Sequence, residues 1–222
     1  STENVEKGVE NGEFGAWDET SKNIHIAILS GAIDSLGYGQ SLGRFINENG
    51  CTLPQESELV EAIKNDPTSH LTSARADLLF AMNQFSLKAG KYDVSHPYRE
   101  TSIIASAWRH KVPFSVHPSI GYDIIANHPI FSGSAIGRAG EWDFKLFGGS
   151  LENLNGGITI SVGSAIMGPQ VFEKAMSCVN NRRIKLANKY FKKRQEPKKI
   201  IMNKKLSLEE RFKAQQKLSK LP

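Results

Sequence analysis

GGITISVGS, residues 156–164, is a β-rich run flanked by glycines, and its reading decides the fold. A short apolar stretch bounded by turn residues reads as a buried strand. VPFSVHP, residues 112–118, reads the same way. Helices are expected around both runs: Tyr98–His110 with Pro97 at its first position, a turn into a helix along SIGYDIIANHP, Glu141–Leu151, and a helix from Pro169 to about Val179. Short strands separated by helices argue for a parallel sheet covered on both faces. The expected fold class is α/β. Upstream of Gly90 the chain is α-rich. Helices are expected over about 17–36, through Leu42, Phe45 and Ile46 to Gly50, over Glu56–Asn65, and from Ser69 to about Lys88. Residues 1–13 read as a flexible terminus.

The charge is divided. Residues 182–222 hold 15 Lys/Arg and 3 Asp/Glu, a net of +12, which leaves 13 basic and 20 acidic residues, a net of −7, for residues 1–181. Asymmetry of that size points to two parts with different partners. Beyond Asn181 the helical pattern loses its dense apolar face. Ile184, Leu186, Ala187, Tyr190 and Phe191 form a thin stripe that Pro197 is expected to interrupt. Ser207-Leu208-Glu209-Glu210 is a capping box for a last helix. Helices this basic and this thinly apolar need a partner to fold against.

Other classes find little support. Cys51 and Cys178 form neither a disulfide framework nor a zinc site, and a reducing compartment fits them. The six histidines are not spaced as ligands on one helix, so no metal is expected. No apolar run approaches the roughly 20 residues of a membrane span. The polar start STENVEKG is unlike a leader, and a soluble, cytoplasmic setting with no membrane partner is expected. Ser1 stands in place of an initiator Met, and a fragment or a processed product is expected.

Three loops could carry chemistry. DVSHPYRETS places Asp93, Ser95, His96, Arg99 and Glu100 at a loop-to-helix junction, where free N–H groups and Arg99 could hold an anion. The structural alternative has Asp93 or Ser95 capping the helix while Arg99 and Glu100 pair at the surface. VHPSIGYDIIANHP sets His117 and Ser119 past a strand end, with Gly121 in a turn and Asp123 opening the next helix. Ligands of open α/β sheets bind at that edge. VGSAIMGP, with Gly163 and Ser164, has the order strand, small-residue turn, helix, as in a phosphate cradle, without a Walker lysine. Nothing local specifies a Ser-His-Asp assembly from Ser95, His117 and Asp123, and no catalytic residue is assigned.

Two resemblances follow. DVSHPYRETSIIASAWRHKVPFSVHPSIGYDIIANHP, EWDFKLFGG and GGITISVGSAIMGPQVFEKAMSCVNN resemble bacterial proteins related to deoxyhypusine synthase, over most of residues 14–181. The resemblance implies a Rossmann-like NAD-binding fold that forms a homo-oligomer with sites at subunit contacts. It implies Gly121, Asp123, Gly163 and Ser164 as nucleotide or substrate contacts. The family's chemistry, NAD-dependent aminobutyl transfer, uses a nucleophilic lysine in a Trp-Gly-Lys setting, and that tripeptide is absent. Catalysis is expected to be incomplete.

NNRRIKLANKYFKKRQEPKKIIMNKKLSLEERFKAQQKLSKLP, residues 180–222, resembles the N-terminal half of bacterial small-subunit ribosomal protein fourteen. This implies contact with ribosomal RNA of the small subunit. Arg182, Arg183, Lys185, Lys189, Lys192, Lys193, Arg194, Lys198, Lys199, Lys204 and Lys205 would neutralise phosphates, while Tyr190 and Phe191 pack or stack. The chain thus reads as a fusion at Asn180-Asn181: a deoxyhypusine synthase-like, nucleotide-binding α/β unit over 14–181, then a basic helical segment over 182–222. The α/β unit is expected to carry the principal function. The alternative reading is a small-subunit ribosomal protein bearing an unrelated N-terminal fusion.

Overall fold

The computed structural model of the protein describes residues 7, 8, 10, 11, 18–121 and 123–221, apart from the side chain of Lys192. The flexible terminus expected over 1–13 falls almost wholly outside the described residues. The chain divides into two compact units, Ser1–Ser150 and Leu151–Pro222.

In the first unit, a π-helical turn, Asp18–Lys22, leads into α1, Asn23–Ala32. The sequence NIHIAILSGA offers no polar face, and every residue from His25 to Ala32 is buried. A helix that is apolar all round belongs inside a core. Packed against it are α2 (Tyr38–Asn47), α4 (Thr72–Gln84) and the short strand β1 (Gly50–Leu53). Between β1 and α4 runs α3, Glu56–Asn65, opened by a reciprocal cap between Gln55 and Glu58. β2 (Gly90–Asp93) follows α4, and α5 (Ile103–Arg109) lies on α2. α6, Gly133–Glu152, adds Ala135, Ile136 and Ala139 to the core of Ile26, Ile28, Leu29, Phe45, Leu78 and Met82.

The start of α2 shows why the loop before it is glycine-rich. Gly37, its N-cap, has no side chain to receive the first helical N–H groups. Asp143 of α6 supplies the acceptor instead: its Oδ2 takes the Gly39 N–H at 2.9 Å. A Cβ on Gly37 would lie 1.8 Å from Asp143 Oδ1, and one on Gly39 would lie 2.1 Å from the Phe114 carbonyl oxygen. Neither position can carry a side chain.

The parallel α/β sheet expected from sequence does not form. The described residues are mainly helical, with one two-stranded ribbon in which β1 and β2 run antiparallel, Cys51 opposite Tyr92 and Thr52 opposite Lys91. Residues 112–118 make no strand. Their main chain is held by a side chain, Val116 N–H donating to Asp143 Oδ2 at 2.7 Å. Residues 156–164 make no strand either. Ile158, Ile160 and Val162 are 86%, 80% and 90% exposed, so the run lacks both a neighbouring strand and covering helices. Apolar composition supplied the strand signal, but a ladder needs a partner edge. The resemblance to deoxyhypusine synthase relatives fails with the sheet: the described residues form no Rossmann-like fold, and the NAD-dependent transferase reading and the implied oligomer lose their basis.

In the second unit, α7 runs from Met167 to Met202 without a break at Asn180-Asn181 or at Pro197. The interruption expected at Pro197 does not occur. Proline removes one N–H from the ladder, and here its ring is buried. α8, Leu208–Ser219, packs back on α7. The expected capping box opens it: Ser207 Oγ accepts the Glu210 N–H at 3.2 Å, and Glu210 accepts the Ser207 N–H at 3.0 Å. Arg211 Nε donates to the Ile201 carbonyl at 2.8 Å, tying the two helices together.

Candidate nucleic-acid interface

Helical spacing sorts the cations of α7. Arg182, Lys185, Lys189 and Lys193 follow one another at three- and four-residue steps, which brings them onto one face. All four are exposed. Arg182 is engaged with Glu152 at 2.9 Å, and Arg183 donates to the Glu152 carbonyl at 3.0 Å. The ammonium groups of Lys189 and Lys193 lie 5.6 and 5.8 Å from the centre of the Tyr190 ring. Lys198, Lys199, Lys204 and Lys205 are exposed, and no carboxylate among the described residues pairs with them. Arg194 donates to the Leu221 carbonyl at 3.3 Å. Lys192 lies on α7, and its side chain is outside the described set. The segment therefore presents a dense set of exposed cations, of which Lys185, Lys189, Lys193, Lys198, Lys199, Lys204 and Lys205 have no carboxylate partner among the described residues, a surface suited to a polyanion.

The loops of the first unit look different. At 93–102, Ser102 rather than Asp93 or Ser95 caps α5, accepting the Ala105 N–H at 3.3 Å. Arg99 donates to the Asn47 carbonyl at 3.2 Å. Glu100 pairs with Arg109 at 2.9 Å and lies 3.6 Å from Arg99. The backbone N–H of His96 donates to Asn49 at 3.0 Å, and its ring meets Phe45 edge-on at 5.8 Å. Asp93 is exposed, 3.9 Å from Lys91, and Ser95 is exposed.

At 116–129, the half-buried His117 ring packs edge-on against Phe144 and Phe147. Burial pulls its pKa down, with the nearby Asp143 opposing. Its nearest hydroxyl is Ser115 Oγ at 3.4 Å, while Ser119 is exposed. Asp123 caps a 3-10 turn, Ile124–Asn127, by accepting the Ile125 N–H at 3.1 Å. Gly121 has a positive φ of 107°. In the second unit Gly163 and Ser164 also have positive φ, and Ser164 Oγ accepts the Gly168 N–H at 2.8 Å.

The NAD contacts implied for Gly121, Asp123, Gly163 and Ser164 were expected at strand ends of a parallel sheet, and the one sheet among the described residues is a two-stranded antiparallel ribbon. Gly163 and Ser164 are exposed in a loop that no strand enters, and Asp123 spends its carboxylate on its own turn. No group of three His, Cys, Asp or Glu among the described residues could hold a metal. No helix among them is long and apolar enough to cross a membrane.

Sequence reasoning missed the groups that are most perturbed. Asp143 is fully buried, and desolvation raises its pKa while the N–H groups of Val116, Gly39 and Tyr38 pull it down. His25 is buried with its Nε2 3.1 Å from the Ile125 carbonyl, and burial lowers its pKa. His128 Nδ1 accepts the Ile130 N–H at 3.1 Å, which leaves Nε2 as the donor to Asp18 at 2.9 Å. That bond lowers the Asp18 pKa. All these partners are distant in sequence or set by loop geometry, and no local pattern marks them.

No family model matches the chain, and no solved structure matches it. Over 43 residues the chain is 74% identical to the small ribosomal subunit protein uS14 of Pelagibacter ubique (strain HTCC1062). The match takes in 19% of this chain, and the chain spans 43% of the length of that relative. Residues 180–222, which carry the ribosomal resemblance, are themselves 43 in number.

Proposed function

We propose that the protein binds ribosomal RNA, as a structural constituent of the small ribosomal subunit, through residues 182–222. The reading rests on the 74% identity to a small-subunit ribosomal protein over 43 residues. The physical chemistry agrees with it: 15 Lys/Arg against 3 acids in that segment. Arg182, Arg183, Lys185, Lys189, Lys192, Lys193, Arg194, Lys198, Lys199, Lys204 and Lys205 supply the phosphate contacts. Residues 14–181 are an unrelated fusion partner joined at Asn180-Asn181.

The test is RNA binding by the full chain across a salt series. With about six phosphates neutralised at roughly −0.7 each, log affinity falls against log salt with a slope of about −4. A chain ending at Asn181 loses the binding. Affinity that ignores salt, or that survives the deletion, overturns the proposal.

A further inference from the structure

Beside the basic row, one face of α7 forms an open, mainly apolar groove of about 470 Å³, lined by Leu186, Ala187, Tyr190, Phe191, Arg194, Gln195 and Lys198. Its volume falls within the range of small-ligand sites. Ala187 leaves room between larger neighbours, and Phe191, 60% exposed, offers a ring to whatever enters. The charged residues at the groove are cations, Arg194 and Lys198, and two more ammonium groups flank the Tyr190 ring. From Leu186 to Lys198 the groove spans about 18 Å of helix at 1.5 Å per residue.

We infer that this groove holds an unpaired RNA base, stacked on Phe191 and flanked by phosphates on Lys198 and Lys193. The inference rests on the RNA-binding reading and deepens it. A base has the flat π-face an exposed aromatic ring accepts, and it arrives with a phosphate on either side. The groove answers both needs, with an apolar floor and a rim of one charge sign. A peptide would have to bring acids at matching spacing, whereas RNA carries one at every nucleotide. Bases inside a duplex are stacked on one another and beyond reach, so the ligand is a loop, bulge or single strand.

The experiment uses the full chain and a short single-stranded RNA carrying one 2-aminopurine. Binding quenches the base, and Phe191→Ala lowers affinity about fivefold to hundredfold without changing the salt slope. Lys198→Gln instead flattens the slope by about 0.7. Phe191→Leu keeps bulk and removes the π-face, so it loses affinity as the alanine variant does, while Phe191→Trp retains it. Far-UV dichroism checks that each variant keeps its helices, as substitution at an exposed position should allow. If Phe191→Leu binds and quenches like wild type, or duplex RNA competes equally, the stacking site is overturned while the RNA-binding reading stands. A Phe191→Ala variant with unchanged RNA affinity overturns it in the same way and leaves the groove to a protein partner. No salt-dependent RNA binding by the wild-type chain overturns both.

Discussion

Asp143 sits where three stretches of the first unit meet, and a single carboxylate holds two of them. Its Oδ2 receives the N–H groups of Gly39 at 2.9 Å and Val116 at 2.7 Å, so it caps α2 and anchors residues 112–118. Complete burial raises its pKa above the ordinary 3.8. The folded state therefore keeps this proton to higher pH than the unfolded chain does. Stability is fully present below the unfolded pKa, falls as pH rises through the folded value, and is level above it. Asp143→Asn keeps an acceptor and removes the charge, so that fall disappears from a pH series of denaturant midpoints. Asp143→Ala strands the N–H groups that this carboxylate receives, those of Gly39 and Val116 among them, and costs roughly 2–5 kcal/mol at neutral pH. An asparagine variant with the wild-type pH profile would show that another group titrates. Nothing near Asp143 in the sequence announces this role, because Gly39 lies 104 residues away.

Elements were legible where their signals are local. Glu56–Asn65 is the helix its pattern and the following Asp66-Pro67 specify, and the box at Ser207–Glu210 opens α8 as read. Caps and turns act within a few residues, so a linear reading captures them. Strands depend on distant edges. The two that form, Gly50–Leu53 and Gly90–Asp93, begin at glycines read as helix ends, while the run at 156–164 stays unpaired. The exposed cations of α7 were legible as composition, but the apolar face beside them was not, because it takes α7 continuing through Pro197 to align Phe191 with Lys198. The unpaired run has its own consequence. Ile158, Ile160 and Val162 alternate with Thr159 and Ser161, and no charged residue occurs from Asn153 to Phe172. An exposed, charge-free, β-branched stretch with free backbone groups is a template for edge pairing between chains. Light scattering of the full chain is expected to rise with concentration, and Ile160→Lys suppresses it with helix content unchanged. Scattering indifferent to that substitution removes the run as the cause.

At the scale of the whole molecule, the two units differ in how they are stabilised. The first surrounds a helix with no exposed face. In residues 151–222 the buried apolar side chains among the described residues are Leu151, Ala175, Val179, Pro197 and Ala214. The second unit also carries the segment of net charge +12, whose like charges repel. Thin burial and self-repulsion place its opening at the low end of the stability range. Tryptophan separates the two signals: Trp17, Trp108 and Trp142 all lie in residues 1–150, and none lies in 151–222. On heating, far-UV ellipticity is expected to fall in a first step that tryptophan emission does not report, followed by a second step that both report. Added salt raises the first step by screening the cations. RNA at about 100-fold its dissociation constant raises it too, by about 2.7 kcal/mol, and leaves the tryptophan step in place. Salt and RNA oppose each other when combined, because salt weakens the phosphate contacts it would otherwise make unnecessary. A single transition, identical by both probes and moved as a whole by RNA, would mean that the basic helices and the buried α1 core unfold as one body.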